Sequence, residues 1–194
     1  IVEPKVLIPR PETEILVDNA IEIIKEFKRP VKVVEIGTGS GIISVMLALL
    51  IDDIEIIAVD INEKALELAR KNAAKHKVEH KIQFRLSNLY EDIMDEDIDM
   101  TISNPPYIAN DYKLPKNVKY EPSNALFGGE VGDELLKDII KGTYEKRIKY
   151  LLCEMGYDQK KPLEQYLNEF EIENYSFYQD YEKFDRGFTV EFKI

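Results

Sequence analysis

The chain has 194 residues and a formal net charge of −11, from 26 basic and 37 acidic side chains. Hydrophobic residues make up 44% and charged residues 32%, which indicates a globular chain with a real core and excludes a disordered one. The acidic balance works against a dedicated nucleic-acid binder, because such proteins gain affinity by neutralising phosphates. The longest apolar run, Ile42 to Ile51, has about half of the ~20 residues that a membrane span needs, so it predicts a buried helix and no membrane partner.

The single cysteine and the start of the chain indicate where the protein works. Cys153 lies in an apolar run, so it predicts a small buried side chain, and a lone cysteine is typical of a cytoplasmic protein. The first residues show no basic stretch and no cleavage site of the kind that a signal peptide carries. They also lack an initiating Met, so we expect a fragment or a processed product. His76 and His80 lack the spacing of a metal site, and none is predicted.

Apolar runs of strand length alternate with longer helical patterns along most of the chain. Pro11 suits the first turn of an opening helix, and Glu12 and Glu14 suit its positive end. In chain order we predict a helix over 11–28, strand 32–37, helix 41–50, strand 54–60, helix 63–77, strands 81–87 and 99–104, a loop over 105–132, helix 133–146, strand 148–155, helix 160–169, and strands 172–180 and 187–193.

The last two predicted strands are joined only by Tyr181 to Arg186, with no helix between them. Such neighbours can pair only in the antiparallel sense, because a parallel pair needs a long crossover. The pattern predicts one α/β domain over 1–194, with a mostly parallel sheet that ends in an antiparallel hairpin. This Rossmann-like layout is typical of the class I methyltransferase fold.

A glycine-rich turn follows the first predicted strand, in the segment Val33 to Gly41 that reads Val-Val-Glu-Ile-Gly-Thr-Gly-Ser-Gly. Glycines permit a positive φ and a close approach of a ligand, and the next helix offers free N–H groups. The spacing is Gly-x-Gly-x-Gly rather than the dinucleotide pattern. We expect the turn to bind a cofactor through Glu35, Gly37, Thr38, Gly39, Ser40 and Gly41.

Two acidic residues near this turn favour S-adenosylmethionine over a dinucleotide. Glu35 would repel a pyrophosphate but suits the cationic methionine portion, directly or through water. Asp60 ends the second predicted strand, 19 residues after Gly41, where a carboxylate can accept hydrogen bonds from both ribose hydroxyls. The alternative is a tight strand–helix turn without a ligand.

A polar segment after the third predicted strand is a further candidate for cofactor binding. Asn88 could accept a hydrogen bond from an adenine amino group, and Leu89 offers its backbone and an apolar face. A simple polar turn remains the alternative for these residues.

The segment Asn104-Pro105-Pro106-Tyr107 indicates the chemistry. The two prolines make it stiff, so the Asn104 side-chain oxygen and the Pro105 carbonyl can present two acceptors to the two hydrogens of a planar –NH₂ group. Tyr107 could pack its ring against that group. Holding the hydrogens out of plane would aim the nitrogen lone pair at a sulfonium methyl, with no metal or nucleophilic side chain. The alternative is a proline turn that ends a strand.

Four further segments resemble the HemK/PrmC family of protein-(glutamine-N5) methyltransferases. They are Ile8 to Glu14, Asp60 to Ala73, Glu121 to Gly129 and Glu154 to Gln159. These flanking segments carry the specificity, since Asn-Pro-Pro-Tyr is shared with adenine methyltransferases. Asp185-Arg186-Gly187 resembles the end of the family's sequences, and we interpret it as a turn.

The resemblance implies a substrate and a set of roles. The substrate would be the glutamine of the Gly-Gly-Gln loop of peptide chain release factors, bound through its amide by Asn104 to Tyr107. Gly37 to Gly41, Asp60, Asn88 and Leu89 would hold S-adenosylmethionine, which leaves as S-adenosylhomocysteine. Arg10 and Thr13 would line the same pocket, although a helix start explains them equally well.

Some features depart from the family, and other functions stay open. We expect this chain to lack the family's N-terminal helical domain. Asn88 replaces a common Asp, and Val131 and Asp133 replace the usual Asp and Leu. An adenine N6-methyltransferase acting on DNA or RNA is the alternative in chemistry. A non-catalytic cofactor-binding module and, more distantly, a dinucleotide oxidoreductase are the alternatives from other classes.

Overall fold

Strands and helices alternate through the part of the chain that the computed structural model describes, which is residues 1–3, 6, 10–94, 97–112 and 126–194. The helices are α1 (Thr13–Ile24), α2 (Ile42–Leu50), α3 (Glu63–Lys75), α4 (Glu134–Glu145) and α5 (Lys160–Leu167), with a 3₁₀ turn at Glu79–Lys81. The strands are β1 (Val31–Ile36), β2 (Ile54–Asp60), β3 (Ile82–Leu86), β4 (Met100–Ser103), β5 (Ile108–Ala109), β6 (Phe127–Gly129), β7 (Tyr150–Glu154), β8 (Ile172–Gln179) and β9 (Asp185–Phe192).

Seven of the described strands form one sheet in the order β3-β2-β1-β4-β7-β9-β8. The strands from β3 to β7 in this order pair in parallel, and β9 pairs antiparallel with both β7 and β8. This confirms the predicted α/β fold with its closing hairpin. The strand order reverses between β1 and β4, and open sheets of this kind bind ligands in the crevice at the carboxyl ends of such strands.

The core lies on both faces of the sheet because the parallel strands are covered on both sides. Along β1, Val31 and Val33 pack with residues of α1 and α2, whereas Val34 and Ile36 pack with residues of α4 and α5. Alternate side chains of a strand point to opposite faces, so each parallel strand needs apolar residues at nearly every position. That requirement explains the uninterrupted apolar runs in the sequence.

The helices α1 and α2 differ slightly from their predicted forms. Helix α1 begins at Thr13 rather than residue 11, because the Thr13 and Glu14 N–H groups bond to the carbonyls of Arg10 and Pro11 in a tight turn. The run predicted as a buried helix does form α2, but Leu49 and Leu50 at its end are exposed. Cys153 is buried in β7, as predicted.

The closing hairpin turns earlier than predicted. Residues 185–187 lie in β9, so the interpretation of Asp185-Arg186-Gly187 as a turn is wrong. The turn is closed by Asp180, whose Oδ1 accepts hydrogen bonds from the N–H groups of Glu182 and Phe184. Asp185 then pairs with Gln179 across the hairpin.

The region predicted as a loop over 105–132 contains two short parallel strands, β5 and β6. Residues 113–125, and with them Glu121, Pro122 and Ala125 of the family-like segment, lie outside the described residues, as do Ile8 and Pro9. Within the described residues, no helix combines the length and apolar character needed to cross a bilayer.

Candidate active site

A cavity opens at the carboxyl ends of β1, β2 and β4, where the strand order reverses. The cavity is open to solvent on one side, and backbone turns and polar side chains line much of it. Most of the residues predicted to bind cofactor or substrate line it, namely Thr13, Glu35, Gly37, Thr38, Gly39, Ser40, Asp60, Asn88, Leu89, Asn104 and Pro106. Residues far apart in sequence therefore meet at one edge of the sheet.

The three glycines of the turn have two different roles. All three have a positive φ, +71° at Gly37, +55° at Gly39 and +78° at Gly41. A Cβ placed on Gly37 or Gly39 would meet no atom within 4 Å, whereas one on Gly41 would lie 2.9 Å from Cβ of Ala69 in α3. Gly37 and Gly39 therefore leave room for a ligand, and Gly41, which is absent from the cavity lining, lets α2 and α3 pack closely.

Glu35 is a buried carboxylate at the base of the cavity, only 1% exposed. Its Oε2 accepts hydrogen bonds from Thr38 Oγ1 at 2.8 Å, from the Ser44 N–H at 3.2 Å and from the Ser44 hydroxyl. Burial raises the pKa of Glu35 to about 7, and the hydrogen bonds from Ser44 and Thr38 oppose this rise. Since all three donors reach Oε2, Oε1 is the oxygen left to face a cationic group in the cavity.

Asp60 sits at the end of β2 and braces the glycine turn. Its Oδ2 accepts a hydrogen bond from the Gly39 N–H at 2.9 Å, and its Oδ1 accepts one from the Asn62 N–H at 2.9 Å. Burial raises its pKa, and these backbone donors lower it. Each carboxylate oxygen has a second lone pair, so the two oxygens can still accept two hydroxyl donors, such as those of a ribose.

Asn88 and Leu89 line the far end of the cavity. The Asn88 Nδ2 donates to Oε1 of Glu91 at 2.9 Å, so its amide oxygen is the end left free to accept a further donor. Leu89 has a φ of +49°, a conformation that is uncommon for residues other than glycine. This turn places the Leu89 side chain against the core on the α4 face while keeping it at the cavity.

Asn104 follows β4 and faces the cavity with a defined amide orientation. Its Nδ2 donates to the Thr13 hydroxyl at 3.1 Å, which leaves Oδ1 as an acceptor. The preceding Ser103 donates to the carbonyl of Ile36 in β1 at 2.7 Å, so the end of β4 is fixed to β1. Of the two prolines, Pro105 is buried outside the lining, and Pro106 lines the cavity.

Tyr107 lies beside the cavity, and its backbone is held in place. Its carbonyl accepts a hydrogen bond from Gln159 Nε2 at 2.9 Å, and the charge of Arg186 acts on its hydroxyl. Arg186 in turn donates to Oδ2 of Asp180 at 2.8 Å. Arg10 is absent from the cavity lining. Its charge acts instead on Tyr107: burial raises the pKa of Tyr107, and the charges of Arg186 and Arg10 lower it.

Glycines within and just after β6 pack against the backbone of the diproline segment. A Cβ on Gly128 would lie 2.4 Å from the Pro106 carbonyl oxygen, and one on Gly132, whose φ is +96°, would lie 2.7 Å from the Tyr107 carbonyl oxygen. Backbone therefore packs directly on backbone. Of the two departures from the family, Val131 is exposed, and Asp133 is buried and pairs with Lys137 at 2.9 Å.

Three polar side chains that were not predicted as site residues support the ones that were. Ser44 donates to Glu35, and Gln159 holds the Tyr107 carbonyl. Glu154 is 1% exposed, and burial raises the pKa of its carboxyl to about 7 while the neighbouring Thr13 lowers it. A carboxylate at the end of a buried strand, as at Glu154, is a signal that the sequence did contain. Among the described residues, no group of three or more His, Cys, Asp or Glu side chains is arranged to hold a metal ion.

Comparison with known proteins identifies the family. Residues 13–120 match the family model of the methyltransferase small domain. The chain is 39% identical over 188 residues to the release factor glutamine methyltransferase of Fusobacterium nucleatum. The match covers 93% of this chain and 52% of that protein. It is also 36% identical to the protein of the same name from Aquifex aeolicus, and that match covers 95% of this chain and 66% of that protein. The protein of the same name from Buchnera aphidicola is 36% identical as well, over 96% of this chain and 68% of that protein. The chain thus spans between about half and two thirds of the length of these relatives.

Solved structures share the fold at lower identity. A crystal structure of the catalytic domain of human METTL16 with an RNA hairpin superposes with a TM-score of 0.76 at 19% identity, covering 100% of this chain and 75% of that one. The ribosomal protein L11 methylase of Lactobacillus delbrueckii gives 0.67 at 21% identity, covering 100% and 84%. At this identity the likeness to solved structures shows the fold alone, and it is the matches in sequence that show the family. The chain therefore belongs to the release factor glutamine methyltransferase family, with a methyltransferase small domain over residues 13–120.

Proposed function

We propose that this chain transfers a methyl group from S-adenosylmethionine to the side-chain amide nitrogen of a glutamine, the one in the Gly-Gly-Gln loop of a peptide chain release factor. The observation that carries the proposal is Asn104, which reaches the cavity with its Nδ2 tied to Thr13 and its Oδ1 left to accept. The names of the relatives supply the substrate. The single cysteine supports a cytoplasmic location, because proteins of oxidising compartments commonly carry disulfides.

The residues around the cavity fit S-adenosylmethionine, which when bound supplies an electrophilic methyl group on a sulfonium. Gly37 and Gly39 leave space where any Cβ would project. Asp60 can accept from the ribose hydroxyls, Asn88 from an adenine amino group, and Oε1 of Glu35 can face the cationic methionine portion. A dinucleotide fits less well, because a pyrophosphate at this turn would approach the buried Glu35.

An amide nitrogen is a poor nucleophile because its lone pair is delocalised into the carbonyl. Asn104 Oδ1 can accept one of the two N–H hydrogens of the glutamine amide. The proposed second acceptor is the carbonyl of Pro105, a residue that lies between two lining residues rather than in the lining itself. Two such acceptors would hold the hydrogens out of the amide plane. Oriented reactants can gain about 7–11 kcal/mol over free encounter, so positioning supplies much of the catalysis. The stiff diproline and the Gln159 bond to Tyr107 keep this segment in place.

The proposal is tested by incubating the chain with S-adenosylmethionine labelled in its methyl group and a purified release factor. We expect label on the Gly-Gly-Gln peptide, with a mass increase of one CH₂ group on the glutamine. A release factor with that glutamine replaced by alanine is the matched control. Label in nucleic acid but not in release factor would support the adenine alternative instead.

Calorimetry with S-adenosylmethionine, read together with the methylation assay, distinguishes an enzyme from a non-catalytic cofactor-binding module. Binding without turnover on either substrate would mean that this chain is a cofactor-binding module. Failure to bind the cofactor at all would contradict the proposed role of the glycine turn.

A further inference from the structure

Two aromatic side chains stand exposed at the carboxyl end of β7, on the side of the sheet edge that carries the diproline segment. Tyr157 is 56% exposed and Phe184 is 48% exposed, and their rings meet edge to face with centroids 6.0 Å apart. Tyr157 follows β7, and Phe184 directly precedes β9, which pairs with β7. We call this pair the aromatic ledge. Exposed aromatic rings that cluster are typical of interaction surfaces, whereas ordinary surface carries single scattered apolar side chains.

Both rings of the aromatic ledge are carried by closed turns. The Gly156 N–H donates to Oε1 of Gln159 at 2.8 Å, which closes the turn that carries Tyr157. The Phe184 N–H donates to Oδ1 of Asp180 at 3.0 Å, and the Phe184 carbonyl accepts from the Asp180 N–H at 2.9 Å. A surface that is ordered before binding loses little conformational entropy when a partner docks. The two turns therefore prepare the aromatic ledge for binding.

The aromatic ledge is joined directly to the proposed amide-binding segment. The Gln159 side chain that closes the turn also donates from Nε2 to the Tyr107 carbonyl at 2.9 Å. Strand β9 lies two places from β4 in the sheet, and neighbouring strands are about 4.8 Å apart, so the start of β9 lies about 10 Å from the end of β4. An extended peptide advances about 3.3–3.6 Å per residue, so three residues cover this distance. A peptide whose glutamine amide lies at Asn104 can therefore reach the aromatic ledge with the residues next to that glutamine.

The charges around the aromatic ledge favour a neutral partner. The two segments that carry it, 156–161 and 180–186, have four acidic and four basic side chains and so no net charge. Two of the basic groups are paired locally, Arg186 with Asp180 at 2.8 Å and Lys160 with Asp185 at 3.6 Å. Single-stranded nucleic acid also stacks on aromatic rings, but its binding needs a surplus of cations for the phosphates. An uncharged, glycine-rich peptide matches this surface better.

We propose that Tyr157 and Phe184 form the docking surface for the Gly-Gly-Gln loop of the release factor, with the backbone of its two glycines lying against the rings. The inference rests on the proposed function for the identity of the partner. Glycines suit the aromatic ledge because they have no side chain to hold their backbone away from the rings. Docking there brings the next residue, the glutamine, to the cavity and its amide to Asn104.

Binding is measured separately from chemistry, by calorimetry with a purified release factor and the chain loaded with S-adenosylhomocysteine, so that no methyl group is transferred. We expect Tyr157→Ala and Phe184→Ala each to weaken this binding about fivefold to tenfold, as at other interface positions that matter for affinity. Tyr157→Phe keeps the ring and should bind within about twofold of the unaltered chain. Urea midpoints should stay close to that of the unaltered chain, because both side chains are exposed.

Tyr175→Ala is the matched control for loss of an exposed tyrosine. Tyr175 also meets a phenylalanine edge to face, Phe177 at 6.1 Å. It pairs with Val190 in the middle of β8, away from the carboxyl ends of the parallel strands. We expect this variant to bind the release factor as the unaltered chain does.

Kinetics identify the part of the release factor that docks. Tyr157→Ala should raise KM for the release factor about fivefold to tenfold with kcat and cofactor affinity nearly unchanged, since Tyr157 is outside the cavity lining. A release factor with the first glycine of the loop replaced by alanine should show a higher KM with the unaltered chain. That increase should be much smaller with Tyr157→Ala, because the effects of two groups in contact are not additive.

The two proposals fail in different ways. If the unaltered chain binds the release factor without methylating it, the proposed function fails, and the binding series still decides the role of the aromatic ledge. If Tyr157→Ala and Phe184→Ala are folded and bind as tightly as Tyr175→Ala, the docking role is refuted. Additive effects of the glycine and tyrosine replacements would refute the glycines as its occupant.

Two further results would overturn the docking role. One is a release factor that does not bind the unaltered chain at all, whatever the methylation assay shows. The other is a loss of affinity for single-stranded RNA, rather than for release factor, in Tyr157→Ala and Phe184→Ala, which would assign the aromatic ledge to nucleic acid.

Discussion

Replacement of Asn104 by alanine tests the proposed chemistry most directly. The change removes the Oδ1 acceptor at the cavity and the 3.1 Å bond to Thr13. One N–H of the substrate amide would then be left without an acceptor, which costs about 1–3 kcal/mol. If that cost falls on the transition state, kcat drops by about fivefold to about 160-fold.

The structure limits the other effects of this change. Asn104 lies just past β4, whose pairing with β1 and β7 does not use its side chain, so the free energy of unfolding should fall by only about 1 kcal/mol for the lost hydrogen bond. Affinity for S-adenosylmethionine should be nearly unchanged. Asn19→Ala is a matched control, because it removes one partly buried side-chain bond, to the carbonyl of Ile15 in α1, away from the cavity.

The assay is single-turnover methylation of a Gly-Gly-Gln peptide, with calorimetry for cofactor affinity and urea unfolding for stability. The reasoning is refuted if Asn104→Ala methylates within about twofold of the unaltered chain while it binds the cofactor normally. It is also refuted if Asn19→Ala loses as much activity, since the loss would then follow from stability.

Further outcomes are expected at the glycine turn and its two acids. Gly41→Ala should lower the free energy of unfolding by about 2 kcal/mol or more, because of its positive φ and the close contact with Ala69. Gly37→Ala should lower it by only about 1 kcal/mol, because it adds backbone strain but no close contact. Equal urea midpoints for the two variants would contradict this. Asp60→Ala should weaken S-adenosylmethionine binding at least about tenfold by calorimetry, through lost acceptors for the ribose and the turn. Burial raises the pKa of Glu35 from its ordinary 4.5 to about 7, so the folded protein holds this proton more tightly and the free energy of unfolding falls as pH rises between these values. Urea unfolding at several pH values should show that the free energy of unfolding falls less with rising pH in Glu35→Gln than in the unaltered chain. Identical slopes for the two proteins would contradict the raised pKa of Glu35.

Most of the fold could be predicted because the relevant signals are local. Apolar runs bounded by glycine or proline give the parallel strands, and the missing helix between residues 172–180 and 187–193 requires an antiparallel pair. The hairpin turn was misplaced because its position depends on the Asp180 side chain, whose bonds to the Glu182 and Phe184 N–H groups leave no mark in the local pattern. The strands β5 and β6 were missed because each has only two or three residues.

The sequence by itself determined most of the residues that line the cavity. Gly37 and Asn104 follow an apolar strand and Asp60 ends one, and parallel strands bring such positions to one edge of the sheet. Only the tertiary structure decided how they are supported. Thr13 and Asn104 are far apart in sequence, and the Asn104 Nδ2 meets the Thr13 hydroxyl because α1 packs on the sheet, against β7. Hydrogen bonds require donor and acceptor to meet within about 3 Å, and no spacing along a chain specifies that meeting.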